Sequence, residues 1–425
     1  MIVNIQNTNE RLSVYQALQD QIDEASRDKR QVGVLLIKLQ DFNDLEAVVG
    51  FVSLELISKR IQARLLSVAK DHRSVIQLSL DTFIVVIPKM LNIGHLKIVA
   101  ESLSRVIRSA VKFESESIEL KPSIGISSSE DSEHNGQLIY ENALIAMQRS
   151  YSEGSYCVAF EREFREQMKR DWDLKKDIEL AIRDNQFELY FQPKVELKSM
   201  KVSGAEALIR WNHPSHGLIT PHNFIPLSEQ SGQIQIITSW VVKSAIQHLS
   251  DILKENPQFN LSVNISVNNL NSPDLVYLLQ DTLSIWDVSA DRLTIEVTET
   301  AIMSDQKSSL EQLEKIRALG VNISIDDFGT GYSSLAYFKH IPATEIKIDK
   351  SFIENLLVDP QDRNIVALII FLAKQFELKV VAEGVETKTS VNEICNLQCD
   401  FAQGFYFSQP LPYNDFIEWM KSFSQ

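Results

Sequence analysis

The sequence predicts two α/β units in tandem: a small mixed domain, then a (β/α)8 TIM-type barrel whose first strand runs antiparallel to its second. Three observations carry this. A chain of 425 residues exceeds one ordinary domain. Its first 160 residues alternate β-rich runs with helical patterns in the order strand, helix, hairpin, helix, strand, helix, strand, after an opening helix. From residue 187 onward, short apolar strands alternate with helices over about 250 residues.

Taken in order, a helix over 9–27 leads into Val32-Gly33-Val34-Leu35-Leu36-Ile37, a run short and β-branched enough for a buried strand. A helix over 50–69 follows. Val75 to Pro88 reads as a hairpin turning near Leu80 to Thr82. Helix 95–110, strand 120–128, helix 137–153 and strand 156–160 complete a domain over 1–160. Residues 161–186 are dense in charge with apolar residues at a helical period, Phe164, Met168, Trp172, Leu174 and Ile178 among them, and form a connecting helix. Within 187–425, strands are expected over 188–196, 203–211, 260–266, 292–298, 321–327, 344–349, 378–384 and 400–407. Helices are expected near 233–254, 273–286, 304–319, 361–375, 387–396 and 412–423. The link between the first two strands is too short for a parallel crossover, hence their antiparallel pairing.

Hydrophobic content of 44% and charged content of 23% are those of a globular protein. No apolar run approaches the roughly 18 residues of a membrane span, and Met1-Ile2-Val3-Asn4 shows no secretory signal. Cys157, Cys395 and Cys399 make neither an even disulfide set nor a metal cluster, which places the protein in a reducing cytoplasm, with Cys395 and Cys399 as core residues. A formal charge of −15 opposes binding to polymeric nucleic acid or anionic lipid. A phosphorylated ligand would have to be met by local cations.

The barrel strands carry polar residues at positions that burial makes costly. Two-residue alternation puts Glu206, Leu208 and Arg210 on one face of their strand. Further strands contribute Asn264, Glu296, Asp326 with Asp327, Lys347 with Asp349, Glu383, and Gln403. Singly, each reads as a structural ion-pair member, and Asp326-Asp327 before Gly329-Thr330-Gly331 reads as a turn. Delivered by seven strands to one rim, so many acids call for divalent cations.

The first domain resembles the fold of GGDEF diguanylate cyclases, through its element order, its Ser123-Ile124-Gly125-Ile126-Ser127 strand and a last helix ending Ser152-Glu153-Gly154. Its site departs from that family. Ser79-Leu80-Asp81-Thr82-Phe83 lacks the two signature glycines, Lys38 stands in place of a metal-binding Asp, Glu46 in place of a guanine-reading Asn, and Lys70-Asp71-His72-Arg73 lacks the Arg-x-x-Asp motif. A lysine cannot ligate Mg²⁺, so a degenerate, regulatory domain without cyclase activity is expected.

Residues 187–425 resemble the EAL domain of cyclic di-GMP phosphodiesterases. The naming motif stands as Glu206-Ala207-Leu208 and continues to Arg210; Phe191-Gln192-Pro193-Lys194, the loop from Asp326 to Leu335, and Gln403-Gly404 match in order, with Phe405 in place of a commoner Tyr. The resemblance implies a metal-dependent hydrolase opening cyclic di-GMP to linear pGpG. It implies Glu206, Asn264, Glu296 and Asp326 on one ion and Asp326, Asp327 and Glu383 on a second, Mg²⁺ or Mn²⁺. It assigns Asp326, Lys347 and Glu383 to catalysis, with the base open between Lys347 and metal-bound water aided by Glu383. Gln192, Leu208, Arg210, Asp349, Glu386 and Gln403 are assigned to substrate, and Glu299 to anchoring the loop at 328–335. A homodimer through the barrel is also suggested. The alternative is a non-catalytic cyclic di-GMP receptor, which needs Arg210 but not both metal sites.

Overall fold

The computed structural model describes residues 8–69, 74–113, 116–330 and 338–423. The tetrapeptide Lys70 to Arg73 and the loop segment 331–337 lie outside the described residues. Residues up to Trp172 and from Asp173 onward form two compact units, and the division falls within the helix Arg162–Arg183.

In the first unit β1 (Gln31–Leu39), β2 (Val75–Gln77), β3 (Thr82–Met90), β6 (Pro122–Ser128) and β7 (Cys157–Ala159) form one sheet in the order β2-β3-β1-β6-β7. A small separate hairpin, β4 (Val111–Phe113) with β5 (Glu116–Ile118), was not expected from the sequence. The central β1 is covered on both faces, which is why it reads as an unbroken apolar run. Leu35 and Ile37 pack toward helices Phe51–Ala69 and Ile93–Arg108; Val34 and Leu36 pack toward helices Thr8–Arg27 and Gly136–Ser152. The last helix lies so close that a Cβ on Gly125 would fall 2.2 Å from the Met147 backbone nitrogen.

In the second unit β8 (Phe187–Glu196), β9 (Lys201–His213), β11 (Asn260–Asn264), β12 (Leu293–Thr298), β13 (Asn322–Phe328), β14 (Glu345–Ile348), β15 (Lys379–Ala382) and β16 (Phe401–Ala402) close into an eight-stranded barrel. Strand β8 is antiparallel to both neighbours, β9 and β16, and seals the cylinder. Short strands β10 (Gly217–Ile219) and β17 (Leu411–Pro412) flank it.

Several expected elements are shorter. The strand expected over 400–407 stops at Ala402, because the chain turns sharply at Gly404: φ is 157° and a Cβ there would meet the Val385 oxygen at 2.2 Å. Strand 378–384 likewise ends at Ala382, just before Gly384 at φ 66°. Helix 304–319 begins at Gln306, after a separate helix Glu299–Ser304, and the Asp305 carboxylate accepts from the Ser308 N–H. Helix Pro221–Ser231 escaped the sequence reading because Pro226 interrupts it, although Pro221 at its start and Gly232 just past its end are ordinary boundary signals. The core reading of the cysteines holds for Cys399, which is buried, but not for Cys395, which is exposed. Among the described residues, no helix is long and apolar enough to cross a membrane.

Candidate active site

Period-two alternation turns Glu206 of β9, Glu296 of β12, Asp326 of β13 and Lys347 of β14 into the barrel, and parallel register brings their ends level. The Lys347 ammonium is the hub. Its Nζ lies 2.7 Å from Glu296, 2.7 Å from Glu383, 3.2 Å from Asp326 and 3.3 Å from Glu206. Glu206 is held further by Asn264 Nδ2 at 2.6 Å and Gln403 Nε2 at 2.7 Å. Gln403 Nε2 also donates to Gln192 Oε1 at 2.9 Å, and Gln192 Nε2 donates to the Ser408 carbonyl at 3.3 Å. Asp327, at φ 52°, joins Asp326 and Glu383 in a group whose carboxylate oxygens lie within 4.8 Å of one another.

Charge here does not balance. Glu206, Glu296, Asp326, Asp327 and Glu383 face one ammonium, an excess of four negative charges if all ionise. Burial alone would lower Lys347, yet Asp326, Glu206, Glu296 and Glu383 outweigh it and hold Lys347 well above the ordinary lysine range. Burial pushes Glu206 up, but Lys347, Gln403 and Asn264 outweigh it and keep Glu206 below its usual value. Glu296 goes the other way, driven well up by burial and then by Glu206 and Asp326. Burial, with Asp326 and Glu206 adding to it against Lys347, pushes Glu383 up to about 8. Asp327 is raised by burial, Asp326 and Asp349. Glu296 Oε1 is buried with no hydrogen-bond partner among the described residues. An all-oxygen donor set with excess acid and an orphaned carboxylate oxygen fits divalent cations.

A pH dependence follows. Glu383 titrates in the fold at about 8, above the ordinary value of about 4.3 in an unfolded chain. Between these values the folded state holds the extra proton, so stability is greatest at the acid end and falls as pH rises through about 8. In chelator, the urea midpoint should therefore decline from pH 6 to pH 8.5 or so, with Glu296 adding to the same trend. Excess Mg²⁺ or Mn²⁺ should flatten the decline, and a midpoint that rises over this range in chelator would contradict the assignment.

The remaining predicted residues sit as follows. Arg210 is half-buried, donates to the Ile209 carbonyl at 2.9 Å and lies over the Tyr190 ring at 5.4 Å. Asp349 caps helix Lys350–Glu354 by accepting from the Ser351 N–H at 3.0 Å, and its charge acts on Asp327. Glu299 Oε2 accepts from the Gly329 N–H at 3.3 Å, at the start of the Asp-Asp loop. Leu208 is half-buried beside the ring; Glu386 is exposed, and no hydrogen bond or ion pair ties either side chain to the ring among the described residues. Sequence reasoning missed two features on this face of β8: the buried Lys194–Glu345 ion pair at 2.7 Å, and the half-buried Tyr190 against Arg210. Both lie two residues from Gln192 on β8, so alternation through Gln192 would have found them.

The family model described as "EAL domain" matches residues 175–410, and "Diguanylate cyclase, GGDEF domain" matches residues 6–156. The bifunctional diguanylate cyclase/cyclic di-GMP phosphodiesterase MucR of Pseudomonas aeruginosa is 33% identical over 412 residues, covering 96% of this chain and 60% of MucR. A solved structure titled "PaMucR Phosphodiesterase, c-di-GMP complex" is 41% identical with a TM-score of 0.56, over 57% of this chain and 99% of that one. The EAL enzyme Bd1971, solved with cAMP and cyclic di-GMP bound, is 31% identical with a TM-score of 0.57, over 72% of this chain and 82% of that one. The chain spans 50 to 60% of the length of the curated relatives it matches first. By the match over more than half its length and by the barrel that closes around an acidic ring, this chain belongs to the EAL domain family, with a GGDEF domain ahead of the barrel.

Proposed function

We propose that the barrel hydrolyses cyclic di-GMP to linear pGpG with the help of two divalent cations, Mg²⁺ or Mn²⁺. The observation that carries this is the ring of four carboxylates on Lys347, joined by Asp327. The named complexes of PaMucR and Bd1971 with cyclic di-GMP support the choice of ligand. Glu206, Asn264, Glu296 and Asp326 would hold one ion, and Asp326, Asp327 and Glu383 the other. Such ions, when bound, lower the pKa of water and stabilise the oxyanions of in-line attack at phosphorus. The chain supplies the rest. Asn264 and Gln403 orient Glu206, and Arg210 grips a substrate phosphate through its fork of donors. Glu383, 2.7 Å from Lys347 Nζ, is placed to aid removal of the proton of the attacking water, whereas Lys347, held protonated by its four acids, stabilises negative charge. Incubation with cyclic di-GMP should give pGpG in Mg²⁺ or Mn²⁺ and none after chelation. Tight binding without any turnover in either metal would replace hydrolysis with the receptor reading.

The first unit is proposed to regulate the second, not to synthesise cyclic di-GMP. A cavity of about 560 Å³ at the end of β1 is lined by Lys38, Asp41, Asp44 and Asp81 among others, and Lys38, which cannot ligate a metal ion, stands there in place of the metal-binding Asp that the GGDEF resemblance leads one to expect. Incubation with GTP and Mg²⁺ should yield no cyclic di-GMP; any such product would overturn this assignment.

Pairing of two barrels is proposed through helix Pro360–Gln375, which exposes Leu368 and Phe371. The same helix sends Ile369 toward Gly329 of the Asp-Asp loop. Light scattering should give a dimer whose mass halves in Leu368→Asp/Phe371→Asp, and an unchanged mass would rule this face out.

A further inference from the structure

We infer that Tyr190 is a positioning residue for Arg210: its ring holds the guanidinium over the barrel mouth, outside any ion pair, for a phosphate of the substrate. The inference rests on the proposed role of Arg210. Tyr190 shares a face of β8 with Gln192 and Lys194, which reach Gln403 and Glu345 inside the barrel. Its backbone is fixed on both sides, opposite Leu208 of β9 and opposite Pro412 of β17. The Arg210 guanidinium sits 5.4 Å from the centre of the Tyr190 ring. That is within cation–π range, and an aromatic face attracts a cation without neutralising it.

The neighbouring charges support the same reading. Glu188 stands directly across from Arg210 in the β8–β9 register and could quench it. Asn212 instead donates to Glu188 Oε2 at 2.9 Å, and Arg210 has no ion-pair partner among the described residues. One guanidinium nitrogen, Nη1, is spent on the Ile209 carbonyl, which leaves the rest of the fork for an anion. Burial weakens the hold of Arg210 on its charge, and the charge of Glu206, on the same face of β9, opposes that loss. A leucine at 190 would fill similar space but offer no negative face.

The test compares Tyr190→Leu and Tyr190→Phe with the full chain, in steady-state hydrolysis of cyclic di-GMP and in equilibrium binding of cyclic di-GMP under chelation, where there is no turnover. Tyr190→Leu should raise KM and the dissociation constant about tenfold with kcat changed less than about twofold, whereas Tyr190→Phe should restore both to within about twofold of the parent. In an Arg210→Gln background, Tyr190→Leu should add nothing further. An unchanged KM, a Phe variant as impaired as the Leu variant, or a full tenfold loss on top of Arg210→Gln would overturn the inference. Should the parent bind cyclic di-GMP without hydrolysing it, the hydrolase reading fails alone, since the binding arm still reads Tyr190.

Discussion

Asp326→Ala is expected to cut hydrolysis of cyclic di-GMP by about a thousandfold or more, about 4 kcal/mol of transition-state stabilisation. No other acid in the ring stands in both proposed ligand sets. Its Oδ2 lies 3.2 Å from Lys347 Nζ, and its carboxylate also belongs to the group with Asp327 and Glu383. Removing it therefore empties the middle of the ring, not its edge. The fold should survive, because Asp326 sits at the open end of β13 and makes no contribution to the apolar layer around the barrel. Far-ultraviolet circular dichroism and the thermal midpoint in chelator should stay close to the parent's. Retained turnover, at even a tenth of the parent rate, would count against a bridging role.

Lys347→Met is the second large effect, and it separates charge from shape. Met fills much the same volume but leaves Glu206, Glu296, Asp326 and Glu383 without their shared cation. Breaking a buried pair by removing one partner costs about 3–5 kcal/mol, because the uncompensated charge stays buried. The chelated variant should therefore unfold at lower urea than the parent, with the gap widest at alkaline pH, where Glu383 can no longer be neutralised by a proton. Added Mn²⁺ should close most of the gap, since divalent charge replaces the ammonium. A chelated midpoint equal to that of the parent would mean that Lys347 is not what holds the acids together.

Much of this was legible in the sequence because strands have a period of two. Glu206, Leu208 and Arg210 could be set on one face from spacing alone, and the eight strands could be counted because each is a short apolar run between turn residues. The antiparallel first strand was legible from loop length. What spacing could not give is which acids share a cation. Lys347 meets residues 141 and 51 positions away, distances set only when the barrel closes. Nor could it say where strand β16 ends, since that depends on how closely Val385 passes Gly404. Tyr190 was hidden for a different reason: in Phe187-Glu188-Leu189-Tyr190-Phe191 it reads as one more strand aromatic, and only the interior placement of Gln192 shows which face it serves.

The measurement closest to the centre of this account is a titration of Mn²⁺ into the chelated, dialysed protein, read by electron paramagnetic resonance alongside cyclic di-GMP hydrolysis in the same samples. Two ions should bind per chain, activity should rise as they bind, and both ions and activity should be lost in Asp326→Ala. Hydrolysis that proceeds with no Mn²⁺ bound, or Mn²⁺ binding that Asp326→Ala leaves untouched, would contradict that expectation.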